Sequence, residues 1–299
     1  MDSKWSLGRF FTDLTKYLYS YNIDCNLVDY GRLYNNEEFF LMAKHSDYIV
    51  TNPSGIKVLP GYGVSPEKCI MLMFHTVDVL DVQRYNLDIA NLAKIACINE
   101  DVKQHASVLS RPSDLVHFGI NTAAYKMEPP SKLETIGFGG LFLSREDSEH
   151  LNKNGNPEPR AYKRGYLAKE IAEKLKLKFF APSTYTTSFI AMPGFYKTID
   201  ALLCCSTDEG VGGPVLEAGA AGRMPLTTRI GGFDSFLTHK GGYGLPVDEE
   251  EFVDRACSIL SYYKAHSVAF KDRCHEIQQY ALKKYDIDHY IMTWIKLFS

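Results

Sequence analysis

The sequence predicts an α/β protein built as two domains, and three observations carry that expectation. Short apolar runs alternate with amphipathic helical patterns along the chain, as in layered α/β folds. A turn-rich stretch, Glu128-Pro129-Pro130-Ser131, divides the alternation into two halves. The 299 residues suit two cores better than one.

The first half opens with a helix over residues 7–18, where Leu7, Phe10, Phe11, Leu14, Tyr17 and Leu18 share a stripe. Strands are expected at 23–28 and 47–51. The run CIMLMF at 69–74 is almost wholly apolar, which suits a strand covered on both faces of a parallel sheet. A further strand follows at 93–98, a helix at 101–109 and a short strand at 115–118.

A new α/β pattern begins after the linker. A strand at 133–138 runs into Gly139-Gly140. Residues 145–160 are polar and read as a long exposed loop. A helix spans 161–175, with Leu167, Ile171, Ala172 and Leu175 on one side. Strands follow at 177–181 and, as ALLCCS, at 201–206. A small-residue helix at 214–222 leads to a strand at 224–228. Helices over 248–263, 267–284 and 290–298 complete the chain.

Composition excludes several classes. Apolar residues make up 45% and charged residues 23%, which is ordinary for a globular protein. The formal net charge of -3, with no basic tail, argues against non-specific nucleic-acid binding. No apolar stretch reaches bilayer length and the N-terminus has no signal-peptide core, so a cytoplasmic protein is expected, with peripheral membrane contact left open. Seven cysteines, an odd number without a C-x-x-C pair, read as free thiols in a reducing compartment. The nine histidines form no H-x-H or H-E-x-x-H pattern, so no metal centre is expected. The Asp286-Ile287-Asp288 pair reads as surface or cap.

The densest chemistry lies at 206–222. The strand ALLCCS ends just before Asp208. Gly210, Gly212 and Gly213 permit a sharp turn and close approach of a ligand. Pro214 suits a first helical position. Such a strand–turn–helix unit offers exposed N–H groups to phosphate oxygens. Glu209 and Glu217 flank the turn. Carboxylates accept well from sugar hydroxyls and repel phosphate, so they suit a sugar or ribose while the amides hold phosphate. The competing account is that glutamate near a helix start is favourable in any protein. Lys163-Arg164-Gly165 offers cations for a diphosphate, or simply a solvated helix surface. His75 ends the CIMLMF run, where parallel sheets place their crevices, and serves either function or a structural hydrogen bond.

The stretch from Glu209 through Pro214, Glu217, Gly222 and Pro225 to Gly231-Gly232 resembles the pattern E-G-x-x-x-P-x-L-E-A-x-A-x-G-x-P of the retaining glycosyltransferase family GT4. Weaker matches agree in order: Trp5 to Arg9, Val116 to Asn121 with Tyr125, and Lys163 to Gly165. The resemblance implies a GT-B fold of two facing Rossmann-like domains with a cleft between them. Residues 1–127 would form the N-terminal acceptor-side domain, lacking its first strand. Residues 131–285 would bind the nucleotide sugar, and 286–299 would form a terminal helix packing back on the N-terminal domain.

It also implies roles. Glu217 would hold the ribose hydroxyls and Glu209 the donor sugar. Lys163 would face the diphosphate, with Arg164 as its rival. His75 would lie near the reaction centre, and Gly8 in a donor-facing loop. Gly212, Gly213, Val215 and Leu216 would line the phosphate turn. The implied activity is metal-independent transfer from a nucleoside diphosphate sugar, with a UDP- or GDP-sugar as donor and no other cofactor. A glycan, a lipid-linked molecule or another small molecule would accept. A nucleotide-binding subunit without turnover and a nucleotide-sugar epimerase or hydrolase are the alternatives. The sequence departs from the pattern where Ser6-Leu7-Gly8 replaces a glycine pair. Gly137-Phe138-Gly139-Gly140 also lacks a following arginine, for which Arg145 and Arg160 are candidates.

Overall fold

The structure is a computed structural model that describes residues 6–28, 37–140, 142–153, 161–182, 192–207, 209–231 and 236–299. The chain divides into two compact units. One comprises Met1–Gly119 with Ile287–Ser299, the other Ile120–Asp286.

The first unit contains α1 (Ser6–Tyr19), α2 (Glu37–His45), β1 (Ile49–Thr51), α3 (Pro53–Val58), β2 (Cys69–Met73), α4 (Thr76–Arg84), β3 (Lys94–Cys97), α5 (Glu100–Ala106) and β4 (Asp114–Leu115). Its strands run parallel in the order β1-β2-β3-β4. All five residues of β2 are buried, which explains why CIMLM carries no polar alternation. The apolar stripe of α1 is buried through Phe10, Phe11, Leu14 and Leu18. Each such side chain contributes about 1.5–3 kcal/mol when fully covered. Phe10 stacks on Phe118 at 4.1 Å and meets the Trp294 ring at 5.5 Å. The terminal helix Ile291–Ile295 is held to this unit by the Trp294 indole, which donates to the His117 carbonyl at 2.9 Å.

The second unit contains β5 (Thr135–Phe138), α6 (Arg145–Lys153), α7 (Gly165–Lys174), β6 (Lys178–Phe180), α8 (Met192–Thr198), β7 (Ala201–Cys204), α9 (Gly213–Ala220), β8 (Met224–Thr228) and β9 (Tyr243–Leu245), followed by helices Glu249–Ala265 and Ser267–Lys284. Its strands are again all parallel, in the order β6-β5-β7-β8-β9. Small residues on α9 matter for packing. A Cβ at Gly219 would lie 2.7 Å from the Phe236 ring and 3.3 Å from Ala281 on the neighbouring helix.

Several local expectations need correction. Residues 23–28 form no strand, and Leu27 stays exposed, so the alternation finds no sheet face to bury. Residues 145–153 form α6 rather than loop. Ser144 caps it by accepting from the Asp147 amide at 3.1 Å, while its hydroxyl donates to the Asp147 carboxylate at 2.6 Å. The remainder of that expected loop, 154–160, lies outside the described residues. The helix expected over 161–175 is interrupted. A 3-10 turn Ala161–Lys163 precedes Arg164 at φ 49°, and α7 starts at Gly165. Helices α2, α3 and α4 and strand β9 had no counterpart in the sequence reading. Asp286 accepts a short hydrogen bond from the Thr122 hydroxyl, tying the two ends of the second unit together.

Candidate functional site

In the second unit the strand order reverses direction between β5 and β7. Strand β6 lies beyond β5, whereas β8 and β9 lie beyond β7. In open parallel sheets, such a switch point opens a crevice at the carboxyl ends of the strands. The Gly139-Gly140 turn follows β5, and the segment leading to α9 follows β7. The first of these lies against the start of α9: a Cβ at Gly139 would lie 3.1 Å from Pro214 Cβ.

Glu209 sits in the β7–α9 connection. Its Oε1 takes a short ion pair from Lys163 and a hydrogen bond from the Ser206 hydroxyl at 2.7 Å, with Cys204 Sγ at 3.8 Å. Its Oε2 has no hydrogen-bond partner among the described residues. Burial pulls the Lys163 ammonium toward its neutral form, but Glu209, with smaller help from Cys204 and Tyr162, holds the pKa above the ordinary lysine value. Burial also pushes the Cys204 thiol up, and Glu209 adds to it. Gly231 lies against the back of this loop at φ 55°. A Cβ there would meet the Glu209 carbonyl oxygen at 2.1 Å, so both conformation and space require glycine. Gly232 and Asp208 lie outside the described residues.

The loop ends in the left-handed residue Gly212 (φ 61°, ψ 51°), which starts α9. Gly213 is the first helical residue and Pro214 the second, one place later than expected, still within the turn whose N–H groups lack helical acceptors. The Val215 amide turns back on the Gly212 carbonyl at 2.9 Å. The side chains of Val215 and Leu216 are buried in the core. Glu217 is buried as well, at 4% exposure, and its Oε2 accepts from the Tyr196 hydroxyl at 2.9 Å.

Arg164 stands beside Lys163 but faces elsewhere. Its guanidinium is buried, with Nε donating to the Cys205 carbonyl at 2.6 Å and Nη1 to the Val247 carbonyl at 2.7 Å. Arg145 joins an ion-pair cluster with Glu249 at 2.7 Å and Glu170 at 3.4 Å. Arg160 lies outside the described residues.

The remaining sequence candidates belong to the first unit. His75 follows β2 and precedes α4. Its amide and that of Phe74 donate to Asp78 Oδ2 at 3.0 and 2.6 Å. Burial raises the Asp78 carboxyl above its ordinary range against the pull of those two amides. Gly8 lies in the first turn of α1, where its carbonyl accepts from the Thr12 hydroxyl at 2.8 Å; the residues of the expected loop before Ser6 lie outside the description.

Thus Lys163, Glu209, Gly212, Gly213 and Glu217 gather around one strand–turn–helix connection. Sequence reasoning missed Ser206 and Tyr196, whose hydroxyls donate to the two carboxylates. Ser206 stood three residues before Glu209, whereas Tyr196 left no local signal. Among the described residues, no group of three or more His, Cys, Asp or Glu could hold a metal ion, and no helix is long and apolar enough to cross a membrane.

Residues 156–262 match the family model described as Glycosyl transferases group 1. No curated protein sequence matches the chain. Among solved structures, the sucrose-phosphate synthase of Thermosynechococcus elongatus aligns with a TM-score of 0.62 at 12% identity, covering 91% of this chain and 80% of that one. HepE of Anabaena, in complex with UDP-glucose, aligns at 0.61 and 11% identity, covering 87% and 80%. A glycosyltransferase of Rickettsia africae ESF-5 aligns at 0.59 and 15% identity, covering 97% and 93%. At these identities the likeness shows the fold, two parallel α/β sheets of the GT-B type. The group 1 match lies wholly within the second unit, Ile120–Asp286.

Proposed function

We propose that this protein is a glycosyltransferase that moves a sugar from a nucleoside diphosphate donor to a glycan, lipid-linked or other small acceptor, with retention of anomeric configuration. The observation that carries the reading is the Lys163–Glu209 pair beside the start of α9. A cation and helix amides there can receive phosphate, while Glu209 Oε2 can accept from a sugar hydroxyl. The HepE complex with UDP-glucose supports a nucleotide-sugar donor.

In this reading the Gly212 and Gly213 amides and Lys163 hold the leaving diphosphate. Arg164, committed to two carbonyls, acts on the scaffold instead. Val215 and Leu216 anchor the first turn of α9 through their buried side chains. Glu217 receives the ribose hydroxyls, and His75 and Gly8 serve the donor sugar. The bond from C1 to the phosphate oxygen breaks as the acceptor oxygen attacks C1 on the leaving-group face. The acceptor proton passes to the departing phosphate. Stabilising charge on that leaving group is the largest contribution. No bound metal is required. The seven free thiols support a cytoplasmic setting.

The test pairs calorimetry against UDP- and GDP-sugars with anomeric analysis of the product. A retained anomer formed only with acceptor present is the expected result. An inverted product rejects retention, and free or epimerised sugar without acceptor points to the hydrolase or epimerase. Donor binding without any product points to a nucleotide-binding subunit.

A further inference from the structure

We infer that Tyr196 is a positioning residue that sets the Glu217 carboxylate for recognition of the donor ribose; this rests on the reading of Glu217 above. The Tyr196 hydroxyl donates to Glu217 Oε2 at 2.9 Å and also lies 3.1 Å from the Pro214 carbonyl. One phenolic proton therefore bridges the carboxylate and the first turn of α9, the two parts assigned to ribose and phosphate. Tyr196 is fully buried, so the hydroxyl does not exchange this contact for bulk water.

The tyrosine is itself held from three sides. Its ring lies edge-on to Tyr125 at 5.7 Å and to Phe195 at 5.1 Å. Its carbonyl accepts from Arg223 Nε at 2.6 Å, and Arg223 Nη1 reaches the Glu128 carbonyl at 2.9 Å. Arg223 is buried, and burial lowers its pKa below the ordinary arginine value. A rigid donor on a rigid mount fixes the plane of the carboxylate. A carboxylate oxygen has room for a second donor, so Oε2 keeps acceptor capacity while bound to Tyr196. Without the hydroxyl, Glu217 loses one of its restraints, and binding a diol requires more reordering of the carboxylate.

The experiment is a binding cycle by calorimetry on the full chain. UDP and GDP are each titrated beside their 2′,3′-dideoxy counterparts, and the tighter base is carried forward. Tyr196→Phe keeps the buried ring and removes only the hydroxyl; a thermal melt confirms folding. The expected result is an affinity loss of about tenfold for the ribonucleotide and none for the dideoxy form. Glu217→Gln should remove the same discrimination, and adding Tyr196→Phe to it should have no further effect. Equal losses for both nucleotides overturn the inference, because a structural defect would not distinguish them. If Glu217→Gln abolishes discrimination while Tyr196→Phe preserves it, the inference fails and the Glu217 reading stands. If Glu217→Gln leaves discrimination intact, or neither nucleotide binds the unchanged chain, both fail.

Discussion

Glu209 and Glu217 lie in one motif, yet the fold gives them contrasting settings. Glu209 rides on a glycine-rich loop, pairs with a lysine and keeps one oxygen without a partner among the described residues. Glu217 is built into a helix, is buried, and takes a hydrogen bond from a neutral phenol. A loop carboxylate neutralised by a cation can exchange partners when a phosphate arrives. A helical carboxylate locked by a buried donor suits a ligand group with constant geometry. On the proposed reading, the contrast matches the variable chemistry, sugar and phosphate, to Glu209 and Lys163, and the invariant ribose to Glu217.

Breaking the loop side should give the largest effect. Glu209→Gln is expected to lower turnover about a hundredfold through misplacement of the donor sugar, read by steady-state kinetics with a matched donor. The same variant sharpens the comparison through pH. With Glu209 neutral, burial acts on Lys163 against weaker opposition, so its pKa falls. A cation holds phosphate only below its pKa, so the alkaline loss of diphosphate binding should move to lower pH than in the unchanged chain. An unmoved alkaline limb would separate Lys163 from the phosphate.

The helical side should respond next. Glu217→Gln is expected to weaken donor binding by about 1.5–3 kcal/mol, with turnover at saturating donor much less affected. A kcat loss without a KM change would contradict this. Gly231→Ala tests whether the loop depends on its support. Left-handed backbone costs a residue with a Cβ about 1–2 kcal/mol, and the clash with the Glu209 carbonyl adds to that. Lower melting temperature and lower turnover are expected together, with nucleoside diphosphate affinity changing little. The smallest effect lies away from both glutamates. Ser144→Ala removes the cap of α6 and should reduce stability by about 1 kcal/mol, measured by denaturant unfolding, with kinetics unchanged.

The same contrast explains what could be read from the sequence. Where a pattern is strong and local, the elements were legible. The apolar run at β2, the strand Met224–Thr228 and the helix Ser267–Lys284 emerge close to their expected bounds. The loop half of the site was legible for the same reason, since glycines, proline and glutamates lie consecutively. Residues 23–28 misled because alternation predicts a strand only where a sheet face receives it. Helix α6 was hidden because a polar helix shows no apolar stripe, although Ser144 and Asp147 carried a capping signal. The support of Glu217 was not legible at all. Tyr196 reaches it across 21 residues, and Arg223 reaches Tyr196 across 27, so no sequence spacing announces either contact. Gly231 shows an intermediate case: its glycine pair was visible, but its contact with the Glu209 backbone is a product of the fold.

The division of labour is tested most directly by titrating a nucleoside diphosphate, without sugar, into Glu209→Gln and Glu217→Gln side by side. Removing Glu209 frees Lys163 and takes a negative charge from beside the phosphates, so affinity should hold or rise. Removing Glu217 takes away the ribose acceptor, so affinity should fall about tenfold or more. Equal weakening in both variants, or weakening only in Glu209→Gln, would contradict the account.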